Sequence, residues 1–261
     1  MRQTKGGICL TQNQIIALLS INIFTAALYR LFITAKREFV VKPLTEHWPN
    51  YHNLFLVAGF LNQADRAYQY LRLPDDANVY ALNFSVFGYN PKIAGNQITR
   101  LIFPGDDICA ISVGAKAVEY STAFSDARRI ALICPCSHPT VLKPFFRWAT
   151  RILSPLLEVV AFGLGWLAFL PIIPIKLGGH ASVALVADQL FWIAYGDPRV
   201  DEYPRTGMIF SHDDELLRNG ELQRIYCSAD QQLSVEGLHA RTDDPAMAEE
   251  YESALAEIFT H

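Results

Sequence analysis

Short apolar runs alternate with segments of helical spacing along this chain, and no other feature of the sequence constrains its fold as strongly. Four runs have the length and apolar character of buried strands: residues 54–59, 78–84, 107–113 and 129–134. Segments that favour helix, or loop and helix, follow at residues 64–71, 90–101 and 115–120. Strands that alternate with helices form βαβ units, so the sequence predicts an α/β fold with a mainly parallel sheet and flanking helices.

The alternation is interrupted by a long apolar stretch at residues 136–205, which contains several prolines and glycines. It then resumes with two predicted strands, at residues 206–211 and 222–227. An amphipathic helix is predicted to close the chain at residues 246–259. We therefore expect one α/β core that is interrupted by an apolar, helical insertion.

This pattern divides the chain into three parts. Residues 1–37 contain a strongly apolar run at residues 15–29, residues 38–135 and 206–261 form the predicted core, and residues 136–205 form a cap. Three interpretations of the apolar run stay open: a membrane anchor or interfacial helix, a helix packed on the domain, and a cleaved signal peptide. We expect a cytoplasmic location at a membrane surface for an anchored chain, and secretion for a cleaved one.

Composition excludes several classes of protein. Apolar residues make up 51% of the chain and charged residues 18%, a balance that disordered chains lack. The net charge of −4 leaves no basic footprint for a nucleic acid partner. Five cysteines, an odd number, do not form a disulfide framework and suit a reducing compartment. The mean hydropathy of +0.15 is high for a soluble enzyme and indicates membrane contact or an apolar cavity.

Residues 110–114, with the sequence Ala-Ile-Ser-Val-Gly, lie where a predicted strand meets a helix and have the features of a nucleophile elbow. Such a turn bends so sharply at its central residue that the side chains two positions away must be small, as Ala110 and Gly114 are. Ser112 would then project from the carboxyl edge of the sheet, where open α/β sheets bind their ligands. These five residues alone do not identify a catalytic serine, because many strand-to-helix turns contain Ser and Gly.

A serine nucleophile needs a base, and the base needs an acid that orients it. In the chain order Ser, acid, His, the acid follows the next-to-last strand and the histidine follows the last strand. Residues 212–215, His-Asp-Asp-Glu, come directly after the strand at 206–211, and His239 lies in the loop before the closing helix. Both residue types therefore lie where a triad with Ser112 needs them.

With these motifs the chain resembles the α/β-hydrolase superfamily of serine esterases and lipases over residues 53–261, with the insertion in the place of that superfamily's cap. In such enzymes a strand ends in a His-Gly pair, and the residue after the glycine donates its amide to the oxyanion hole. Here Ala58 replaces that histidine, and Ala110 replaces the usual first glycine of the elbow. A hole built from backbone amides tolerates the first change, and the second change keeps a small residue.

The resemblance implies a role for each of five residues: Ser112 as nucleophile, His239 as general base, Asp214 as orienting acid, and the amides of Phe60 and Val113 as the oxyanion hole. Asp214 is preferred because the acid in related chains lies three residues after a glycine that ends the strand, and Ser211 has that position here. Asp213 as the acid, and His212 or His261 as the base, are the alternatives. A structural interpretation is also open, in which the Asp pair caps a helix and His239 is a surface residue.

The expected chemistry is hydrolysis of a carboxylic ester through an acyl-enzyme, which needs no metal or organic cofactor. Apolar cap helices predicted at residues 159–175 and 181–195 favour a lipid or other apolar acyl ester as substrate, bound in a pocket or at a membrane surface. A thioesterase or an acyltransferase would use the same triad. Two further alternatives are a non-catalytic, hydrolase-like binding protein and a membrane protein with spans at residues 15–29 and 159–175.

The remaining polar and thiol-containing features are expected to be structural. The pair of cysteines in Cys134-Pro135-Cys136 has the wrong spacing for zinc, so both are expected to be buried or loop thiols. Cys109 and Cys227 lie in predicted strands and are expected in the core. Lys116, in the helix after the elbow, is expected on a solvated face.

Overall fold

The structure is a computed structural model that describes residues 11–17, 20–21, 24, 38–60, 63–174, 180–196, 200, 202–240 and 247–260. Seven of its strands form one sheet in the order β1-β3-β2-β4-β5-β8-β9. These strands are β1 (Val40–Pro43), β2 (His52–Val57), β3 (Ala77–Asn83), β4 (Asp107–Ile111), β5 (Arg129–Ile133), β8 (Thr206–Ser211) and β9 (Gln231–Val235). Two short strands, β6 (Ile173–Pro174) and β7 (His180–Ala181), pair separately.

Helices flank the sheet and form the insertion. They are α1 (Ala64–Ala67), α2 (Pro91–Leu101), α3 (Gly114–Glu119), α4 (Ala123–Asp126), α5 (Pro144–Leu164), α6 (Val183–Tyr195), α7 (Asn219–Ile225) and α8 (Ala248–Thr260). Short 3₁₀ turns cover Pro139–Val141 and Gly165–Phe169. The predicted α/β class is confirmed, because every neighbouring pair from β3 to β9 is parallel and only β1, which the sequence analysis did not predict, is antiparallel.

The four strands predicted before the insertion are β2, β3, β4 and β5, and the strand predicted just after it is β8. Their apolar runs reflect burial on both faces: every residue of β4 and of β8 is buried. Each Val, Leu or Ile side chain removed from water here stabilises the fold by roughly 1.5–3 kcal/mol. Because the strands are parallel, the loops that follow β2, β4, β8 and β9 meet at the same edge of the sheet.

The strand predicted at residues 222–227 is wrong, because these residues belong to helix α7 and the turn after it. Leu222 and Tyr226 are buried and lie four residues apart, on one side of a helical turn, while Cys227 is exposed rather than in the core. The last strand is β9, which is more polar and was missed for that reason. His239 still follows the last strand, so the predicted order of the site residues is unaffected.

The insertion contains two long helices, but the first is not where the apolar run predicted it. α5 begins at Pro144 and ends at Leu164, and Gly165, with a backbone φ of 58°, caps it. The described part of the predicted helix at residues 159–175 is therefore not one helix. α6 agrees with the helix predicted at residues 181–195. The two helices pack against each other, and small side chains lie at their contact: Ala161 of α5, and Ala184 and Ala187 of α6.

Most of the N-terminal run at residues 15–29 lies outside the described residues. The part that is described is helical at residues 12–17, 20–21 and 24, and its large apolar side chains are exposed: Ile15, Ile16, Ile21 and Phe24. An anchor, a packed helix and a signal peptide all stay predictions for this segment. The division of the chain into residues 1–37, a core at 38–135 and 206–261, and a cap at 136–205 also stays a prediction.

Candidate active site

Ser112 lies between β4 and α3 in a backbone conformation that few non-glycine residues adopt, with φ at 49°. Its amide donates to Ile133 O at 2.8 Å, and its carbonyl accepts from Ala115 N at 3.2 Å and Cys136 N at 3.1 Å. A left-handed residue costs on the order of 1–3 kcal/mol, so the surrounding hydrogen bonds must hold it in place. The turn therefore has the strained geometry expected of an elbow, with the serine at its centre.

Gly114 explains why the elbow needs a residue without a side chain. A Cβ atom at this position would overlap with the carbonyl oxygen of Ala58, which belongs to the backbone and cannot move aside. On the other side, a Cβ atom at Gly59 would lie 3.0 Å from Ile111 Cγ2. The loop after β2 therefore packs directly on the elbow, which the predicted oxyanion hole requires.

Three of the predicted site residues form one hydrogen-bonded chain. Ser112 Oγ lies 2.9 Å from His239 Nε2, and His239 Nδ1 lies 2.8 Å from Asp214 Oδ2. If the imidazole is neutral and Nδ1–H donates to the carboxylate, Nε2 is the atom that accepts the serine hydroxyl proton. Ser112 and Asp214 are buried, so this chain is shielded from bulk water.

Asp214 is held as an ionised acceptor. Burial by itself raises the pKa of this carboxyl, but hydrogen bonds and the charge of His239 outweigh it, and the pKa is lowered overall. The second carboxylate oxygen accepts from the amides of Leu216 at 2.8 Å and Leu217 at 2.7 Å. Since both oxygens are occupied, the carboxylate cannot rotate away from the imidazole.

The alternative site residues lie elsewhere. Asp213 and His212 are exposed, and neither contacts Ser112 or His239 through an observed hydrogen bond within the described ranges. His261 lies outside the described residues. A helix capped by the Asp pair is also not observed, because the chain after Asp214 turns back on that carboxylate and α7 begins only at Asn219.

The predicted oxyanion donors flank the elbow. Phe60 follows Gly59 in the loop that packs on Ile111, and Val113 is the residue after the nucleophile. Across the described part of the chain, neither of these two amides donates to a protein acceptor. Two amide N–H groups of this kind beside the elbow could donate hydrogen bonds to a substrate oxygen that develops negative charge.

Sequence reasoning missed a contact behind Val113. The phenol of Tyr89 donates to Val113 O at 3.1 Å, while the Tyr89 amide donates to Asp188 Oδ2, in α6, at 2.9 Å. Tyr89 is fully buried, and burial raises the pKa of its hydroxyl well above the usual value, so it stays a donor. No sequence signal marks this tyrosine, because it lies in a loop of irregular spacing between β3 and α2.

The start of α5 is tied to the loop that carries the acid. Lys143 Nζ donates to the backbone carbonyl of Asp214 at 2.6 Å, and Lys143 N donates to Leu216 O at 2.9 Å. Arg218 N donates to Val141 O at 2.7 Å nearby. The insertion therefore contacts the site twice, through α5 at the acid and through α6 at Tyr89.

Lys116 is not on a solvated face, which corrects the prediction. It is 1% exposed, and its ammonium donates to Ser137 O. The end of α6 covers it, because a Cβ atom at Gly196 would lie 2.7 Å from Lys116 Cε. Glu119, one turn further along α3, is also buried; burial raises the pKa of its carboxyl, and the charge of Lys116 opposes that shift.

The cysteines of residues 134–136 are buried, as expected, and Cys134 lies beside the site. Candidate ligand atoms of Cys134, Asp214 and His239 all lie within 4.8 Å of one another. Burial raises the pKa of the Cys134 thiol to about 12, which keeps it neutral, and Sγ lies 3.2 Å from Ser211 Oγ. A metal here would need the thiolate and would compete with the His239–Asp214 hydrogen bond.

Comparisons with known proteins identify the architecture. No family model matches the chain, and no curated protein matches it in sequence. Many solved structures resemble it. One is a type II thioesterase, BorB, from the borrelidin biosynthetic cluster (TM-score 0.56, 11% identity, 84% of this chain and 95% of that chain). Two others are MGS-M2, an α/β-hydrolase enzyme from a Medee basin deep-sea metagenome library (TM-score 0.53, 10% identity, 85% of this chain and 94% of that chain), and an acetylester hydrolase from Corynebacterium glutamicum (TM-score 0.60, 10% identity, 85% of this chain and 90% of that chain). Together with the sheet order and the elbow, these similarities show that the chain has the α/β-hydrolase fold.

Proposed function

We propose that this protein is a serine hydrolase that cleaves carboxylic esters with an apolar acyl part. The observation that carries the proposal is the hydrogen-bonded chain from Ser112 Oγ through His239 to Asp214. The strained elbow at Ser112 adds support, because a serine of merely structural role has no need of a left-handed backbone.

The proposed reaction has two acyl-transfer steps. His239 takes the proton as Ser112 Oγ bonds to the ester carbonyl carbon, and the Phe60 and Val113 amides stabilise the oxyanion, each by about 3 kcal/mol. The ester C–O bond then breaks, and His239 returns the proton to the leaving alcohol. Water, deprotonated by His239, attacks the acyl-enzyme and releases the acid and the free serine. Asp214 keeps the imidazole in the required tautomer throughout.

The insertion supports an apolar substrate. Its helices form a small apolar cluster that includes Ala161, Phe169 and Ala184 and packs against Phe87, in the loop that leads to Tyr89. Phe87 and Phe169 have ring centroids 6.2 Å apart. Sites that bind a long acyl group are lined mainly by apolar side chains, and the apolar composition of this insertion agrees with that.

Thioester hydrolysis and acyl transfer to another acceptor are the alternatives closest to this proposal. They would use the same three residues and differ only in the leaving group or the acceptor. The structural neighbours include both a type II thioesterase and an acetylester hydrolase, so fold similarity does not choose between them. A non-catalytic binding protein is the alternative from another class, and an unreactive Ser112 would favour it.

We propose that the enzyme is located in the cytoplasm and is held at a membrane by its N-terminal segment. The exposed apolar side chains at residues 15, 16, 21 and 24 support this anchor. A membrane protein with a second span at residues 159–175 is not supported, because these residues do not form one helix. Such a span would also separate Ser112 from His239, which are within hydrogen-bonding distance.

Labelling with a fluorophosphonate probe tests the proposal. Wild type and Ser125→Ala, which changes an exposed serine, should label, while Ser112→Ala should not and His239→Ala should label far more slowly. Ester and thioester panels of increasing acyl length would then identify the leaving group and the chain length. If folded wild type fails to label in buffer and in detergent, the hydrolase proposal is wrong and the protein is a binding protein.

A further inference from the structure

Helix α5 leaves most of its apolar surface uncovered. Of its residues, only Ser154 and Ala161 are buried, whereas Val159 is 70% exposed and Phe145 67% exposed. The apolar surface continues through the 3₁₀ turn to β6. We name it the cap face and define it by six exposed side chains: Phe145, Trp148, Leu156, Val159, Trp166 and Ile172. Soluble monomers rarely expose a contiguous apolar patch of this extent, so the cap face needs a partner.

We propose that the cap face docks in the plane of a membrane surface that contains anionic lipids. Arg147 and Arg151 are the basic residues between 144 and 174, and they lie one turn apart on the first half of α5. Glu158 is the one acidic residue in that stretch of sequence. A helix with an apolar face, basic residues and exposed tryptophans is typical of segments that lie at the boundary of headgroups and acyl chains.

The exposed tryptophans lie near the two ends of this apolar surface. Trp148 is 62% exposed in the second turn of α5, and Trp166 is 55% exposed just after the helix ends. Tryptophan favours the membrane interface because its ring is apolar and its N–H can bond to water or a headgroup. Rings of this kind at both ends, with Leu156 and Val159 between them, fit a helix that lies flat.

The contacts of α5 favour docking over spanning. Among the described helices, the stretch Pro144–Phe169 is long and apolar enough to cross a membrane, by length and composition. However, α5 packs along α6, which carries the buried polar residues Asp188 and Gln189, and Pro155 interrupts the hydrogen bonding within α5. A span through α5 would draw these polar groups toward the hydrocarbon, at a high cost.

Docking would place the catalytic edge of the sheet near the bilayer. Lys143, directly before α5, donates to the backbone of Asp214, and Asp188 of α6 accepts from Tyr89. The two cap helices thus rest on loops of the site. An apolar acyl ester could then pass from the bilayer to Ser112 along the cap. The docking inference itself does not depend on the proposed hydrolysis, because it concerns lipid binding alone.

Vesicle co-sedimentation of the full chain tests the inference. The probes are vesicles of phosphatidylcholine alone and of phosphatidylcholine mixed with phosphatidylglycerol. Val159→Glu combined with Trp166→Glu should weaken binding at least about tenfold. The matched control is Phe103→Glu, since Phe103 is 63% exposed in the loop between α2 and β4, outside the cap, and this variant should bind like wild type. Unchanged thermal midpoints would show that the variants fold.

The charge of the bilayer provides a second readout. Arg147→Gln and Arg151→Gln should each weaken binding to the anionic vesicles roughly fivefold and leave binding to phosphatidylcholine nearly unchanged. If the Val159/Trp166 variant binds vesicles as well as wild type does, the N-terminal segment alone carries any binding and the inference is wrong. It is equally wrong if wild type does not bind vesicles and the variant instead converts a dimer to a monomer, because the cap face then covers a second copy.

Discussion

Helices α3 and α5 differ in how they use their side chains. Every residue of α3, from Gly114 to Glu119, is buried, whereas α5, which is more than three times longer, buries only Ser154 and Ala161. α3 starts at the turn that carries Ser112, and the strands and helices around it must hold this residue in a strained conformation. α5 is attached to the molecule along one side only. The difference teaches that apolar sequence alone does not place a helix in the core of this protein, because α5 is apolar and largely exposed.

A buried helix is usually apolar and an exposed helix usually polar, but α3 and α5 show the opposite. The buried helix α3 contains Lys116 and Glu119, while the exposed helix α5 presents Val159 and other apolar side chains to the solvent. Polar partners reduce the cost of burying these two side chains: Ser137 O accepts from Lys116, and the Tyr226 hydroxyl donates to Glu119 Oε1. Glu119 Oε2 has no hydrogen-bond partner among the described residues. Which helix is buried therefore depends on the neighbours that pack against it and not on the hydropathy of the helix.

The largest effect we expect concerns the buried polar groups of the core. Asp214→Asn should lower kcat about 10⁴-fold, because the imidazole would lose the acceptor that selects its tautomer. Asp213→Asn is the matched control, since it makes the same change on an exposed neighbour, and it should stay within about twofold of wild type. Steady-state kinetics with the best ester of the panel measures both. If kcat fell equally in the two variants, the buried carboxylate would have no role that its exposed neighbour lacks, and the prediction would be wrong.

A matched pair of valine substitutions tests the packing difference directly. Val118→Ala, in α3, removes two methyl groups from a fully buried position and should lower the free energy of unfolding by about 2 kcal/mol. Val159→Ala, in α5, should change it by less than about 0.5 kcal/mol, because the side chain is exposed and alanine favours helix. Urea denaturation measures both values. A large loss for Val159→Ala would mean that the cap face is covered in solution.

The smallest effect we expect comes from the loss of a single hydrogen bond, compared between a tyrosine beside the candidate site and a tyrosine in the cap. Tyr89→Phe should lower kcat about tenfold with little change in KM, because Val113, the proposed oxyanion donor, loses the phenol that orients it. Affinity for a boronic acid inhibitor, which mimics the tetrahedral intermediate, should fall in parallel. Tyr195→Phe is the control: it removes a similar phenol-to-carbonyl bond, to Arg151 O in the cap, and should leave kcat within about twofold. A merely structural Tyr89 would change stability and leave inhibitor affinity unchanged.

The parts of the fold that follow from local patterns could be predicted from the sequence. Buried parallel strands such as β4 are continuous apolar runs, and Ser112, Asp214 and His239 were predicted in chain order after strands whose ends meet at one edge. Residues 222–227 were predicted as a strand because the spacing of Leu222 and Tyr226 fits a helix and a strand equally well over so short a segment. What the sequence could not show depends on tertiary partners, as at Lys116 and Tyr89, whose neighbours come from distant parts of the chain.

The close approach at Gly114 has a consequence for how this protein can evolve. The atom that would meet a side chain there is the backbone oxygen of Ala58, which every amino acid at position 58 would retain. A substitution at position 58 therefore cannot make room, and a side chain at position 114 would require the backbone itself to move. Ala110 faces no such limit, since its methyl group is accommodated in the core. We therefore expect position 114 to tolerate substitution less well than position 110, where a methyl group is already accommodated.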